Sequence, residues 1–245
     1  MLKQTLTLTL FIYPCLSSNL FNVSVAEAAY TPPPDQRKPP SNASSGSAAT
    51  RGCDGDSILP TILASGNTVG QTISTHPTFV WFIDENEPRQ MEFIIYEYIQ
   101  DNQYKKVYQT TKTTTSGIMS FTLPNDEPPL KTNKIYVSQV IIFCEINSPS
   151  TALFDLVYFE VVNVSPTLTN QLANAYTSLE KVNIYAESGL WFDAMKEAVK
   201  LSPSGTLGEA GVTLVQELIP YEKVTINQDT DSSRIERLEE FLLNN

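Results

Sequence analysis

The chain has 245 residues, of which 41% are hydrophobic and 18% are charged, and its formal net charge is −11 at pH 7. This composition predicts a globular protein, and the acidic excess disfavours binding to nucleic acids or to anionic membrane surfaces. A single histidine excludes sites built from several histidines, and we expect neither a metal nor a cofactor.

The first 28 residues have the features of an export signal. Lys3 supplies a positive start, an apolar run diluted by threonines extends from Leu6 to Leu16, and Ala26-Glu27-Ala28 forms a small-x-small cleavage site. The run is short for a membrane span. The sequence therefore predicts a signal peptide over residues 1–28 and a periplasmic or extracellular protein. The alternative is an uncleaved signal, which would be its one attachment to a membrane.

Cleavage at this site leaves two cysteines, Cys53 and Cys144. An even number of cysteines in an oxidising compartment favours a disulfide. Such a bridge would close a long loop, which the chain-entropy description values at about 4.5 kcal/mol. The alternative is a pair of free, buried thiols.

Residues 29–52 have the composition of a linker. Five prolines fall between Pro32 and Pro40, and the stretch from Ser41 to Thr50 consists of small and polar residues. Prolines extend the chain, and the small residues offer little to pack. The folded body is therefore expected to begin near Cys53, on a tether.

Residues 53–165 follow a β pattern. Met119, Phe121 and Leu123 alternate with polar residues, as in a strand with one buried face. Further runs of branched and aromatic residues are separated by Pro, Asn and Asp, with no helical stretch between them. About seven short strands in such an arrangement predict an antiparallel β-sandwich of immunoglobulin-like type.

Residues 166–220 change to helical spacing, which makes the fold class mainly β with an α appendage. Ser165 and Pro166 predict a helix start, Thr177 and Glu180 predict a capping box, and a last helix is expected from a cap at Thr206 to Pro220. Gly189, Trp191, Ala194, Ala198 and Pro203 are spaced almost as in one tetratricopeptide hairpin. Since such repeats need about three units for stability, we predict a small TPR-like helical subdomain that leans on the sandwich.

Residues 221–245 are predicted to form a flexible acidic tail that ends in a short amphipathic helix. Ser233 and Glu236 have capping spacing, and Ile235, Leu238 and Phe241 lie on one face. This helix either packs on its own domain or enters a groove of a partner protein.

Several short motifs together resemble a known family. They are Arg51-Gly52-Cys53, Pro77-Thr78-Phe79 running into Trp81-Phe82, Gly117-Ile118, Ser148-Pro149-Ser150 and, most distinctively, the helical block from Glu180 to Ala194. Over about Arg51 to Pro220 the chain is similar to a family of secreted cyanobacterial proteins that is catalogued only as a domain of unknown function. The resemblance implies an exported β-sandwich with helices, paired cysteines at Cys53 and Cys144, and no established activity.

Four features suggest catalysis or metal binding, and each has a simpler interpretation. Gly55-Asp56-Ser57-Ile58 matches the nucleophile motif of GDSL esterases, but that chemistry needs a histidine base and none follows His76. His76 itself lacks further ligands for zinc, and the resembled family more often has a basic residue there. The carboxylates at Asp54 and Asp56, and those at 84–87, lack the spacing of a calcium loop. We interpret these as structural turns.

Large aromatic residues are the remaining candidates for a binding site. Trp81 with Phe82 and nearby tyrosines is either a sugar-stacking face or part of the core, and Trp191 with Phe192 is expected to fill the junction between helices and sheet. We keep Trp81, Trp191 and Phe192 as candidate binding residues and assign no catalytic residue.

The sequence thus predicts an exported, non-enzymatic interaction or adaptor module whose partner is an unidentified protein or envelope component. It would bind through a face of the sandwich or through the cleft between sandwich and helices. One alternative is a domain that binds carbohydrate or an envelope polymer. A second alternative is a GDSL-like ester hydrolase.

Overall fold

The computed structural model describes residues 29–35, 37–40, 59–84, 87–145, 152–225 and 233–244. Within these residues the chain forms eight strands and then five helices. The strands are β1 Thr61–Ile62, β2 Gly70–Thr72, β3 Thr78–Ile83, β4 Gln90–Gln100, β5 Gln103–Thr113, β6 Gly117–Thr122, β7 Ile135–Ile142 and β8 Leu153–Val161. The helices are α1 Pro166–Ala173, α2 Ser178–Glu187, α3 Trp191–Val199, α4 Gly208–Thr225 and α5 Ser233–Leu243.

The strands form two sheets, so the prediction of a mainly β body with a helical part is confirmed. One sheet has the order β1-β3-β6 and the other the order β2-β8-β7-β4-β5. All pairings are antiparallel except that of β2 with β8, which is parallel. The sequence predicted antiparallel strands alone, because a three-residue strand such as β2 is too short to produce a recognisable pattern.

Aromatic rings from both sheets meet in the core. The ring of Phe93 on β4 stacks on that of Trp81 on β3, with centroids 5.6 Å apart, and it contacts the ring of Phe121 on β6 at 4.8 Å. Phe79 contacts Phe159 of the other sheet at 5.0 Å. Burial of such large apolar surfaces between two sheets is the main contribution to their stability.

The helix ends at the start of the helical part follow the sequence closely. The Ser165 hydroxyl accepts from the backbone N–H of Leu168 and caps α1. Thr177 and Glu180 form the predicted capping box of α2. Gly189, with φ +73°, follows α2 where the chain turns into α3, and a Cβ there would lie only 3.1 Å from atoms of Pro33.

The predicted bounds of the last long helix are wrong at both ends. The Thr206 hydroxyl donates to the Pro203 carbonyl instead of capping, and α4 begins at Gly208. The helix continues through Pro220 to Thr225. Pro220 removes one backbone hydrogen bond, but Leu218 and the residues around it are buried on this helix, and that packing keeps the chain helical.

The first part of the predicted linker lies against the body. The side chain of Tyr30 is only 5% exposed, and its ring meets that of Trp191 edge-on at 4.8 Å. The backbone N–H of Thr31 donates to the Ala186 carbonyl at 3.0 Å. Proline-rich composition predicted an extended backbone, but it carried no information about what that backbone packs on. Residues 41–52 lie outside the described residues.

The last helix also packs on the chain's own body. Ile235, Leu238 and Phe241 of α5 are buried, and the Phe241 ring contacts that of Phe82 on β3 at 5.2 Å. The apolar face of this helix is therefore covered, and it is not free to enter a partner's groove. Among the described residues, no helix combines the length and the hydropathy needed to cross a bilayer.

Candidate functional site

The three candidate binding residues lie in the interior. Trp81, Trp191 and Phe192 are 0%, 1% and 3% exposed. The indole N–H of Trp191 donates to the Leu63 carbonyl at 2.7 Å, and the Phe192 ring contacts that of Phe79 at 5.4 Å. A sugar cannot stack on rings without exposed faces, so these residues join helix α3 to the sandwich.

The other candidates carry little chemistry in the described residues. The Nε2 atom of His76 lies 3.0 Å from the Glu127 carbonyl and its Nδ1 atom 3.2 Å from the Thr75 hydroxyl, so both ring nitrogens are engaged. The described residues contain no group of three or more metal-ligating side chains. Cys144 follows β7, whereas Cys53 and the motif from Asp54 to Ser57 lie outside the described residues.

The outer side of the five-stranded sheet carries a largely apolar and aromatic surface. Side chains alternate across a strand, and Phe93, Val140 and Val157 face the core. Their neighbours therefore face outwards, and the strand register places these neighbours side by side. We call this surface the tyrosine face; it consists of Ile94, Tyr96, Tyr98, Tyr104, Val137, Gln139, Ile141, Phe154, Leu156 and Tyr158.

Contacts between tyrosine side chains fix the conformation of one end of the tyrosine face. The hydroxyls of Tyr104 and Tyr158, which lie on the outer strands β5 and β8, are 2.9 Å apart. The Tyr104 ring also meets the ring of Tyr98 at 5.5 Å and that of Tyr96 at 6.5 Å. Burial raises the pKa of the Tyr158 hydroxyl, and the hydrogen bond to Tyr104 raises it further, so this group remains neutral. The rings form a fixed cover over Val137.

The other end of the tyrosine face is open and mainly apolar, with Glu92 of β4 in register beside Ile141. Ile141, Phe154 and Leu156 are half-buried there, although strand neighbours flank them on both sides. The described helices pack mainly on β1, β2 and β3 and on one another. Within the described part of the chain, nothing comparable covers this end.

A second concave surface lies between the sandwich and the helices. This α1 cleft has a volume of about 360 Å³ and opens beside β2, the end of β8 and helix α1. Its lining is uncharged and consists of Gln71, Ile73, Val162, Asn163, Ser165, Thr167, Leu168, Gln171, Ser188 and Leu190. Amide and hydroxyl groups around an apolar floor suit a neutral, polar ligand.

A buried carboxylate lies behind this cleft. The backbone N–H of Ile73 donates to Asp193 at 2.9 Å. Burial raises the pKa of the Asp193 carboxyl from 3.8 to about 6, while hydrogen bonds from Ile73 and Thr72 and the charge of Lys196 act in the opposite direction. Asp193 thereby attaches helix α3 to the strand that borders the cleft.

The residues that match a known protein family include both sheets and most of the helices. The model of the family described as Domain of Unknown Function (DUF928) matches residues 46–225, more than half of the chain. The chain belongs to this family. No curated protein matches it. The match confirms the resemblance to a domain of unknown function, and it covers both sheets and helices α1 to α4 of this DUF928 protein.

Helix α5 lies beyond the matched residues, and a buried ion pair attaches it to the DUF928 region. Arg234 donates from Nη1 to both Asp155 oxygens at 2.6 and 2.7 Å and from Nη2 to the Ile62 and Ala64 carbonyls. Asp155 also accepts from the Ile62 N–H at 2.7 Å. Both charged side chains are almost fully buried. Their hydrogen bonds hold the fold together, which is a structural role that the sequence did not predict.

Proposed function

We propose that the protein is an exported, non-enzymatic interaction module that binds a partner protein through the tyrosine face. The observation that carries the proposal is the apolar, aromatic surface on the outer side of the five-stranded sheet, which ends at Ile141, Phe154 and Leu156. A sheet surface of this kind, with a fixed backbone and preordered rings, loses little conformational freedom on binding.

The chemistry of the tyrosine face favours a folded protein as the partner. Tyrosine rings provide rigid apolar area and a hydroxyl for hydrogen bonding, which is why they are enriched at protein interfaces. The residues that compose the face are uncharged, and two charged residues lie in register beside them: Glu92 beside Ile141 and Lys106 beside Tyr96. A complementary partner would present an apolar patch with hydrogen-bonding groups at its edge.

The titratable groups in the interior support a non-enzymatic role. Asp155 is held by Arg234, Asp193 by the backbone of Ile73, and Glu222 accepts from Ser65 and from the backbone N–H of Gly66. Each of these groups joins two parts of the fold.

The strand order supports the finer classification of the β part as immunoglobulin-like. In that fold one sheet holds the first, second, fourth and fifth strands and the other the third, sixth and seventh, with additional strands beside the third in the variable type. The order β1-β3-β6 opposite β8-β7-β4-β5 follows this arrangement when β2 continues the first strand, β5 is the additional strand, and the fourth strand has no counterpart among the described residues. This proposal places the tyrosine face on the larger of the two sheets.

The export signal and the Cys53–Cys144 disulfide remain part of the proposal. If the cysteines pair in the mature protein, a reductant should lower its melting temperature by several degrees, because the unfolded chain gains freedom. An unchanged melting curve, with both thiols labelled under native conditions, would contradict the pairing.

Photo-crosslinking in the producing cells tests the tyrosine face. We expect a photoreactive phenylalanine analogue at Phe154 to give a discrete cross-linked product, and the same analogue at Tyr176 to give none. Tyr176 is the matched control because it is an aromatic residue on the helical part and 87% exposed. Adding Ile141→Glu should abolish the product, since it places a charge on the open end of the face.

Two outcomes would contradict this proposal. The absence of any product at Phe154 would leave the face without a partner. A product with the mass of two copies of this chain would assign the face to self-association. Circular dichroism of the Ile141→Glu variant establishes that the loss is not caused by unfolding.

A carbohydrate-binding role is the second candidate function. The site that favours it is the α1 cleft, because Trp81 is buried. Among the described residues, no hydrogen bond engages the side-chain amides of Gln71, Asn163 and Gln171, which leaves them available for sugar hydroxyls. Glycan-array binding that is lost on Asn163→Ala and retained in the Ile141→Glu variant would support this role. An array without any signal would contradict it.

A further inference from the structure

Strand β5 has the longest uncovered edge in the described part of the molecule. It is 11 residues long and lies at the end of the five-stranded sheet, where it pairs with β4 on one side. Edge strands present unpaired N–H and C=O groups that another extended chain can use. Most side chains of β5 are exposed, so another strand can approach this edge.

The other three sheet edges are engaged by the chain itself. At β1, Ile62 bonds to Asp155 and Arg234. At β6, the backbone N–H of Ile118 donates to the Gly205 carbonyl at 2.9 Å. Next to β2, the Val69 N–H donates to the Arg37 carbonyl at 2.7 Å. Among the described residues, β5 has no comparable cover.

A groove beside β5 carries positive charge and an apolar floor. It lies between β5 and the loop at 124–131, has a volume of about 290 Å³ and is lined by Lys105, Lys106 and Lys131. The floor includes Tyr108, Leu123, Leu130 and Tyr136. We call it the lysine groove. Its volume accommodates one apolar or aromatic side chain.

Two lysines of the lysine groove are not paired with its acidic groups and are available to a ligand. Glu97 and Glu127 also line it, and Glu97 lies 3.6 Å from the ammonium of Lys134. The ammonium of Lys106 donates to Gln109. No ion pair engages Lys105 or Lys131 within the described residues.

The charge distribution along the chain also favours binding of an anionic ligand near β5. Residues 97–134, which include Glu97 of the groove, contain five lysines and four acidic residues, a local charge of +1 in a chain of net charge −11. The rest of the molecule repels an anionic ligand, and this edge attracts it, which steers the ligand to β5. A second copy of β5 is disfavoured, because its lysines would face those of the first.

We propose that the free edge of β5 and the lysine groove bind an extended acidic peptide segment by β-strand addition. Backbone hydrogen bonds to β5 provide affinity, since the outward N–H and C=O groups of this edge strand have no partner strand in the sheet. Acidic side chains meet Lys105 and Lys131, and one apolar side chain enters the groove. This site adjoins the tyrosine face at Tyr104, lies away from the open end at Phe154, and adds a second contact to the proposed module.

Synthetic peptides test the proposal on the mature protein by fluorescence anisotropy. The probe is a labelled peptide of alternating glutamate and valine, and one control peptide has glutamine in place of glutamate. A second control keeps every charge but is N-methylated at alternate residues, which blocks strand pairing along one edge. We expect each control peptide to bind about tenfold more weakly than the probe, which corresponds to about 1.4 kcal/mol.

Matched protein variants locate the site. Lys105→Gln with Lys131→Gln should weaken probe binding by about tenfold through loss of two charge-assisted contacts. Lys181→Gln with Lys200→Gln changes the net charge equally on the helices and should leave binding within about twofold, because those charges are remote from β5. Circular dichroism checks the fold of both variants.

Four outcomes would overturn the proposal. They are no binding of the probe, equal binding of the N-methylated peptide, equal losses in the two double variants, or equal binding of a polyuronic acid. The second and fourth would assign the groove to non-specific attraction of polyanions. None of these outcomes affects the crosslinking test at Phe154, so failure of this inference is distinguishable from failure of the proposed function.

Discussion

Between its two sheets the protein packs aromatic rings, whereas between the sheets and its last two helices it buries charged side chains in addition to apolar ones. Phe93 contacts Trp81 and Phe121 in the first region. In the second, Arg234 of α5 holds Asp155 of β8, and Glu222 of α4 accepts from Ser65 after β1. Both regions are almost completely buried.

The difference shows how the two regions are stabilised. Apolar burial is non-directional, so many arrangements of rings of similar volume retain it. A buried ion pair is favourable only when its partners and hydrogen bonds are complete, and removal of one partner leaves an uncompensated charge. The core between the two sheets should therefore lose stability in proportion to lost volume. The attachment of helix α5, despite its buried apolar face, should weaken sharply when a single charged group is lost.

The largest expected effect is in the sandwich core. Phe93→Ala should reduce the free energy of unfolding by about 3–5 kcal/mol, because it removes a buried ring and leaves a cavity between the sheets. Chemical denaturation monitored by tryptophan fluorescence measures the loss. Tyr176→Ala, at a position that is 87% exposed, should change stability by less than about 0.5 kcal/mol. Similar losses in the two variants would contradict the assignment of Phe93 to the core.

A smaller and more local effect is expected at the ion pair. Arg234→Met should cost about 3 kcal/mol, since Asp155 and two carbonyls lose their donor. Hydrogen exchange should then increase in α5 and remain low in β4 and β7. Arg237→Met on the same helix is the matched control, and it should have the smaller effect because Arg237 is half-buried. Uniformly faster exchange across the protein would show that loss of Arg234 destabilises the whole fold and not helix α5 alone.

The smallest effect is a pH dependence that arises where helix α3 meets β2. Because folding raises the pKa of Asp193 from 3.8 to about 6, the stability that its protonated form contributes is present below pH 3.8 and is lost as the pH rises through 6. The loss amounts to about 3 kcal/mol or less. Asp193→Asn should remove this component.

Melting temperatures of wild type and Asp193→Asn between pH 4 and 8 measure that component. The difference between the two proteins should change through pH 6 in favour of the variant. Glu209→Gln, at an exposed position in α4, should follow the wild-type curve. A constant difference between wild type and Asp193→Asn would contradict the raised pKa.

Much of the fold followed from local patterns. The strand-rich character of residues 53–165 and the caps at Ser165 and Thr177 were predicted, because the alternation of a strand and the hydrogen bonds of a cap involve residues close in sequence. The end of α4 was not predicted. The helix continues through Pro220 because tertiary burial of its neighbours outweighs the local preference.

The candidate sites were harder to predict than the fold. Asp155 stands at an inward-facing position of an apolar strand, which is a signal that it requires a partner, but that partner is Arg234, 79 residues away. Trp81 and Tyr98 lie on similar strands, yet one is in the core and the other on the outer face. The sequence does not specify which face of a sheet another layer covers.

The sequence by itself determined the periodicity, the caps and the acidic composition of this protein, because each depends on residue identity and on neighbours a few positions away. The tertiary structure alone decided that Tyr30 is buried against Trp191, that Arg234 meets Asp155, and that no other described segment covers the edge of β5 or the open end of the tyrosine face. These features depend on which distant segments meet in space, and burial, unlike helix or strand propensity, has no local signal that specifies the partner.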